Sequence, residues 1–273
     1  MAKLSAFADE ISPEAEVQIA ELKKNGVGFI ELRGLRGKNV MALTDAEVRE
    51  FKKMASDAGI GFSAVGSPIG KYPIDGKLEE QIDLTKRAIE IAGMIGAPYV
   101  RIFSFFPPQG GDILKFEGRV MEWLGALCKV AEPTAIKLAH ENEARIFGEK
   151  GAECLKIHQA VKSPALVGVF DPANYAVAGE NVWECWEKVR PYIRYFHIKD
   201  YSRARKMIVP AGEGDGDIPR ILKDAASRGF DSFLTLEPHL SKAAASYGVT
   251  SPELFATAVG ALRGVMAGAG MKG

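Results

Sequence analysis

Cysteine and histidine are scarce in this sequence, and their scarcity excludes two classes of protein. Three cysteines and four histidines occur among 273 residues. Cys128, Cys154 and Cys185 are far apart and odd in number, which excludes a disulfide framework and is typical of reduced thiols in a cytoplasmic protein. A hydrolytic endonuclease that uses several zinc ions would need more histidines than this chain has.

Charge of one sign and long apolar runs are also absent. Thirty-five basic residues balance 35 acidic ones, and no basic face with interleaved aromatics is visible, so we expect no nucleic-acid partner. No apolar run approaches the ~20 residues of a membrane span. The N-terminal stretch MAKLSAFADE turns acidic too soon for a signal peptide. We expect a cytoplasmic protein that does not bind membranes.

Short apolar segments alternate with longer amphipathic ones along the whole chain. Strands are predicted at 4–8, 27–32, 60–65, 99–103, 136–141, 166–171, 193–198 and 233–237. Helices are predicted at 12–25, 44–59, 78–95, 113–131, 149–161, 181–190, 217–228 and 251–266. Ser12 and Ser251 are predicted N-caps followed by proline, and Thr44 with Glu47 has the spacing of a capping box. Strict alternation predicts parallel strands joined by helical crossovers.

A glycine-rich phosphate turn after the first strand is a further absence. An open doubly wound sheet would carry such a turn, whereas this chain has Asp9-Glu10-Ile11-Ser12 there. Eight strand–helix units in ~250 residues instead favour a (β/α)8 barrel. The fold class is therefore predicted as α/β, with residues 1–273 forming a single TIM-barrel domain.

Four consecutive predicted strands finish in a residue that can bind a metal ion. They end at Glu141, Asp171, His197 and Glu237. The C-terminal strand ends of a barrel face its site, and neighbouring strands are ~4.8 Å apart, so these side chains could converge on one ion. Each acid taken singly could equally be a helix N-cap or a solvated loop charge. Four adjacent occurrences favour a site.

The two-residue period of strands tests this convergence. If the four candidates point inward, so do the residues two and four positions earlier in each strand. These are Ala139 and Lys137, Val169 and Val167, Tyr195 and Ile193, and Thr235 and Phe233. His140 then points to the helix-facing side of its strand, and His158, inside a predicted helix, is expected to be structural.

The strand-end motifs resemble those of the xylose-isomerase-like barrel family. The stretches are HENE at 140–143, FDPAN at 170–174, FHIKD at 196–200, PAGEGDGD at 210–217 and LTLEPH at 234–239. That family includes sugar phosphate isomerases and ketose 3-epimerases. The resemblance covers nearly the whole chain and implies that Glu141, Asp171, His197 and Glu237 bind one divalent ion.

Three carboxylates and one imidazole form a hard donor set. Such a set suits Mn²⁺, our first expectation, and also Mg²⁺, Co²⁺ or Zn²⁺. An ion that chelates a carbonyl and its neighbouring hydroxyl would make proton abstraction from the adjacent carbon feasible through an enediolate. Glu141 and Glu237 could stand on opposite faces of that carbon as the two bases. We expect a metal-dependent isomerase or epimerase of a ketose or keto sugar.

Six further residues are candidates for contacts with a small sugar substrate. They are Glu10, Phe105, Asn174, Lys199, Arg203 and His239. Arg203 follows His197 by six residues and is expected in the place of an arginine that epimerases carry there. Phe105 could stack on a sugar or pack in the core. The acids Glu213, Asp215 and Asp217 would repel a phosphate, which argues for an unphosphorylated sugar.

Other functions remain open at this point. A lyase or dehydratase acting on a keto sugar or an inositol-like substrate could use the same proton abstraction and then expel a neighbouring group. A sugar-binding protein without catalysis could share the fold, because fold alone does not determine function. Homo-oligomer formation is also left open.

Overall fold

The computed structural model describes residues 1–240 and 250–272, and these residues contain all eight predicted strand–helix units. The barrel strands are β1 Lys3–Ala6, β2 Phe29–Leu32, β3 Gly61–Gly66, β4 Tyr99–Ile102, β5 Lys137–Glu141, β6 Leu166–Phe170, β7 Ile193–Ile198 and β8 Phe233–Leu236. The helices are α1 Ala15–Lys24, α2 Asp45–Asp57, α3 Leu78–Ile95, α4 Glu117–Ala131, α5 Gly151–Ala160, α6 Pro172–Val177, α7 Val182–Val189, α8 Ile218–Ser227 and α9 Pro252–Gly268.

The eight strands form one closed parallel barrel in chain order, as predicted. Each strand pairs with its sequence neighbours, and β8 closes the barrel on β1 through the register from Lys3–Phe233 to Ala6–Leu236. Closure places every C-terminal strand end on one face of the molecule. The competing doubly wound sheet is therefore excluded.

The barrel interior is filled by inward side chains at the alternating positions that were predicted. Ala139, Val167, Val169, Tyr195 and Phe233 form one buried cluster with Ala64. Phe29 and Tyr99 pack against this cluster, the first edge-on to Phe233 and the second stacked on Tyr195. Ile193 is the exception, because the β6–β7 register shifts beside it and it joins the outer core.

The outer core lies between the strands and the surrounding helices. It contains the outward strand residues, such as Leu138 and Phe196, and the apolar faces of the helices. His140 lies on this side of its strand, as predicted, with its Nε2 2.8 Å from Ser104 Oγ. His158 in α5 stacks on Tyr192 at a centroid distance of 4.6 Å, which agrees with a structural role.

Local differences from the prediction are small but affect the site. The N-cap of α1 is Glu14, not Ser12, whose hydroxyl instead accepts the Glu14 N–H in the preceding turn. The capping box of Thr44 and Glu47 and the N-cap of Ser251 are confirmed. Helix α6 was not predicted, and neither were two hairpins, Gly34–Leu35 with Lys38–Asn39 and Asp200–Ser202 with Met207–Val209.

In the described part of the chain, no helix is both long and apolar enough to span a bilayer.

Candidate metal and substrate site

The four strand-end residues converge at the C-terminal face of the barrel. Glu141 is the last residue of β5, His197 lies near the end of β7, and Asp171 and Glu237 each follow their strand by one residue. One potential ligand atom from each of the four lies within 4.8 Å of the others, and all four residues are buried. Neighbouring parallel strands with inward parity therefore bring together the groups that the sequence singled out.

His197 lies at the centre of this cluster. Its Nδ1 is 2.8 Å from Glu141 Oε1 and 3.6 Å from Glu237 Oε2, while its Nε2 is 3.1 Å from Glu31 Oε2. Burial disfavours the charged ring, but Glu141 and Glu31 outweigh it and raise the pKa of His197 to about 10. Glu31 fixes the ring so that Nδ1 faces the cluster, as a carboxylate bound to the other ring nitrogen does for metal-binding histidines.

Asp171 is held by both a helix and a neighbouring loop. Its Oδ1 caps α6 by accepting the N–H of Asn174 at 2.9 Å, so the simple N-cap interpretation is also correct for this acid. Its main-chain N–H and C=O are bound by the side-chain amide of Asn142. Its Oδ2 faces Lys199 Nζ at 2.8 Å. Burial raises the pKa of Asp171 to about 6, although the Lys199 ammonium opposes that rise.

Glu141 and Glu237 share a pattern in which one oxygen faces the cluster and the other faces a cation. Glu141 Oε2 accepts from Arg101 at 2.9 Å. Glu237 Oε1 lies 3.5 Å from Arg33 and 3.4 Å from His239 Nε2. Burial favours the protonated acids, but His197 and Arg101 lower the pKa of Glu141 to about 2. Lys199 and His239 likewise hold the pKa of Glu237 well below its usual value.

The geometry of these residues fits one divalent ion. Asp171 Oδ2 and His197 Nδ1 are buried, and neither has a hydrogen-bond partner of proper alignment among the described residues. Buried polar atoms rarely remain unsatisfied without a reason, and a site for a metal ion is one such reason. The donors are carboxylate oxygens and an imidazole nitrogen, which suit Mn²⁺, Mg²⁺, Co²⁺ or Zn²⁺.

A cavity of about 880 Å³ opens above the cluster. Of the predicted substrate contacts, Asn174, Lys199 and His239 line it. Glu10 lies one layer behind, buried, with its Oε1 3.0 Å from His239 Nε2 and its Oε2 accepting the N–H of His239. Glu10, Glu237 and His239 also form a second close group, but there the His239 ring already contacts both glutamates, and Arg33 lies 3.5 Å from each of them.

Two predicted contacts lie away from the cavity. Arg203 donates to the carbonyl oxygens of Ala176 and Glu180, because the hairpin after β7 directs it along the outer side of α6. Phe105 is fully buried and packs edge-on against Trp123, so the core alternative is the correct one.

The acids of the 210–217 loop also lie outside the cavity lining. Glu213 pairs with Arg205, Asp217 pairs with Arg220, and Asp215 accepts the N–H of Arg203. The loop is shaped by the buried carboxylate of Asp200, which accepts N–H groups from three of its glycines. These acids therefore give no argument for or against a phosphorylated substrate, and the unphosphorylated sugar stays an untested prediction.

Sequence reasoning missed the residues that hold the two glutamates and the histidine. These are Glu31, Arg33 and Arg101, which come from the β2 and β4 segments. For two of these residues the sequence did contain an indication of burial. Glu31 and Arg101 are charged residues between apolar neighbours in short strands, and such residues are rarely buried unless they are paired.

Comparisons with known proteins agree with this architecture. A family model described as xylose isomerase-like TIM barrel matches residues 19–263. A fructoselysine 3-epimerase of Shigella flexneri is 27% identical over 162 residues, which make up 58% of this chain and 58% of that protein. The matched region thus spans under two thirds of the curated relative.

Two solved structures share the fold over nearly the whole chain. L-ribulose 3-epimerase superposes with a TM-score of 0.77 at 16% identity and covers 98% of this chain and 96% of its own. AsbF of Bacillus anthracis, described as the probable 3-DHS dehydratase of petrobactin synthesis, gives 0.77 at 15% identity with 96% and 99% coverage. At these identities the likeness concerns the fold alone.

Proposed function

The chain belongs to the xylose isomerase-like TIM barrel family, and we propose that it is a divalent-metal-dependent epimerase or isomerase of a keto sugar. The observation that supports this proposal most strongly is that Glu141 and Glu237 lie in the same cluster. Both carboxylates are buried, and they stand at the two ends of the arc formed by β5, β6, β7 and β8. The 3-epimerase among its relatives acts on a keto sugar derivative, which supports the same class.

We propose that Glu141, Asp171, His197 and Glu237 hold the ion, with Mn²⁺ as the first candidate. When bound, a divalent ion supplies Lewis acidity that lowers the pKa of the carbon acid next to the substrate carbonyl. His197 would contribute Nδ1, because Nε2 is engaged with Glu31. Asp171 would contribute Oδ2, because Oδ1 caps α6.

The protein's own groups then move the proton. One glutamate, as the carboxylate, removes the hydrogen from the carbon beside the carbonyl. The other takes up a proton from solvent and delivers it to the opposite face, which inverts the centre, and the first then releases its proton to solvent. Arg101 holds the outer oxygen of Glu141, and Arg33 with His239 holds that of Glu237, so neither carboxylate can rotate freely. Lys199 lines the cavity beside Glu237 and can donate to a substrate oxygen. Asn174 lines the same wall.

A dehydratase is the second candidate, and His239 favours it. Burial disfavours the charged ring, but contacts with Glu10 and Glu237 raise the pKa of His239 to about 9. A protonated imidazole on the cavity wall could give its proton to a departing hydroxyl after a single glutamate has removed the substrate hydrogen. The product distinguishes the candidates, because an epimer has the mass of the substrate and a dehydrated product has lost water.

Solvent deuterium exchange tests the proposal. The purified protein, stripped with chelator and reloaded with Mn²⁺ or Mg²⁺, is incubated with a panel of ketoses and 3-keto sugars in D₂O. We expect metal-dependent deuterium incorporation next to the carbonyl and appearance of an epimer, read by NMR after the ion has been removed. Tight sugar binding without exchange would contradict the proposal and favour a binding protein.

A further inference from the structure

The rim of the cavity carries two cations that the cluster below does not use. Arg145 follows β5 and Lys206 lies in the hairpin after β7, and both line the cavity and are exposed. The deeper cations are already matched: Arg101 pairs with Glu141 and Lys199 with Asp171. Lys71, also on the rim, pairs with Glu143 at 2.8 Å.

Neither Arg145 nor Lys206 has an acidic partner within ion-pair distance among residues 1–240 and 250–272. The Arg145 guanidinium is instead positioned over the ring of Phe106 at 5.8 Å. This contact orients the guanidinium without neutralising it. Once all pairs are formed, the mouth of the cavity therefore keeps positive charge.

The backbone at these two positions is unusual. Arg145 and Lys206 have φ angles of 65° and 51°, in the left-handed region that residues other than glycine rarely adopt. His239, on the same cavity wall, has a φ of 43°. Such conformations cost free energy and cluster at ligand sites, where the surrounding structure maintains them.

The surface between the two cations is apolar. Helix α6 lies between their loops, and its Val177 is 53% exposed, while Met207 of the hairpin is 46% exposed. Both side chains line the cavity. A ligand that reaches from the buried cluster to the rim would lay its carbon skeleton on this apolar surface and place its far end between Arg145 and Lys206.

We infer that the substrate is a keto sugar derivative whose end remote from Glu141 and Glu237 carries an anionic group, held by Arg145 and Lys206. This inference rests on the proposed function for the position of the keto end. The anion would be a carboxylate or a phosphate, since arginine and lysine bind both through charge-assisted hydrogen bonds. The cavity volume of about 880 Å³ leaves room for more than a simple monosaccharide.

Three ketoses that differ in one group test the inference. Binding of D-fructose, D-fructose 6-phosphate and D-fructuronate to the Mg²⁺-loaded protein is measured by calorimetry. We expect at least one of the two anionic ketoses to bind about tenfold or more tightly than fructose, a modest ratio because the cations are exposed. The anionic ketose whose affinity exceeds that of fructose by the larger factor identifies the group that the rim prefers.

Charge-removing variants assign the effect to the two cations. In the variant carrying both Arg145→Gln and Lys206→Gln, the preference for the anionic ketose should fall about tenfold. The control Arg205→Gln removes a neighbouring exposed cation that pairs with Glu213 outside the cavity, and it should keep the preference. Equal binding of all three ketoses, no measurable binding of any, or a preference that survives the double substitution would overturn the inference.

Deuterium exchange with the same three ketoses separates the two proposals. Exchange without any anion preference in binding would sustain the proposed function and overturn this inference. An anion preference that depends on Arg145 and Lys206, without exchange into any ketose, would sustain the anion-binding rim and count against the epimerase.

Discussion

The two ends of the barrel interior are built on the same strands but from opposite kinds of residue. At the N-terminal end, Phe29, Tyr99, Tyr195 and Phe233 fill the space with aromatic contacts at centroid distances of 5.0 to 6.3 Å. At the C-terminal end, buried acids and bases occupy the corresponding positions. Apolar burial stabilises the fold directly, whereas buried charges pay a large desolvation penalty and seldom add net stability. We therefore attribute the charged end to the binding and chemistry that we propose.

Removing a base at the charged end should have the largest effect. We expect Glu141→Gln and Glu237→Gln each to lower turnover about 10²- to 10⁴-fold, because the amide keeps the shape but cannot accept the proton. Steady-state assays and deuterium exchange with metal bound would measure the loss. Glu117→Gln, an exposed glutamate paired with Lys156, is the control and should behave as the parent. Near-normal turnover of either site variant would contradict the two-base scheme.

Truncating an aromatic at the apolar end should cost stability instead. Phe233→Ala removes a buried ring of the inner cluster, and we expect a loss of about 3–5 kcal/mol in the free energy of unfolding. Metal affinity of the folded variant should be unchanged, since the strand ends are retained. Urea unfolding with and without metal would measure both.

Asp171→Asn is the matched variant at the charged end. Because burial raises the pKa of Asp171, its charged form is disfavoured by the fold, and the neutral amide should keep stability in chelator while losing the ion. If instead Asp171→Asn destabilised the metal-free protein as much as Phe233→Ala, the proposed difference between the two ends, with stability at the apolar end and metal binding at the charged end, would be contradicted.

Glu31 connects the two ends, and its removal should have an intermediate effect. It accepts from Tyr195 below and faces His197 above. We expect Glu31→Gln to weaken metal binding about 10- to 100-fold, since it no longer fixes the histidine ring. Tyr195→Phe, which leaves the contact between Glu31 and His197 in place, should weaken it less. Calorimetric titration would rank the two, and the reverse order would contradict the proposed role of Glu31.

Proton release on metal binding should have a graded effect, which is small for a single pH unit and accumulates over the range in which His197 titrates. In metal-free protein, the raised pKa of His197 keeps its ring protonated at neutral pH, and a metal ion must displace that proton from Nδ1. Metal affinity should therefore rise about tenfold per pH unit between roughly pH 6 and 10. The dependence should become steeper below about 6, where Asp171 is also protonated. Titration in buffers of different ionisation enthalpy would count the protons. No proton release between pH 7 and 9 would show that His197 is neutral before the ion binds.

Strand periodicity explains why part of the site could be predicted. Inward parity and the order of neighbouring strands follow from a two-residue repeat and a closed barrel, so the convergence of Glu141, Asp171, His197 and Glu237 was expected before the structure. The same repeat identified Tyr195 and Phe233 as inward residues. It failed at Ile193, where the register of the β6–β7 pair shifts and the repeat is interrupted.

The sequence by itself determined the barrel and the four strand ends, because both depend on periodic patterns and short-range signals. Only the tertiary structure decided which cations hold the glutamates, that Arg203 and Phe105 lie away from the cavity, and that Arg145 and Lys206 face its mouth. Loops follow no repeat, and their side chains are directed by contacts such as the bonds of Asp200 to the glycine N–H groups. The direction of a loop residue is therefore fixed only by the packing of the segments around it.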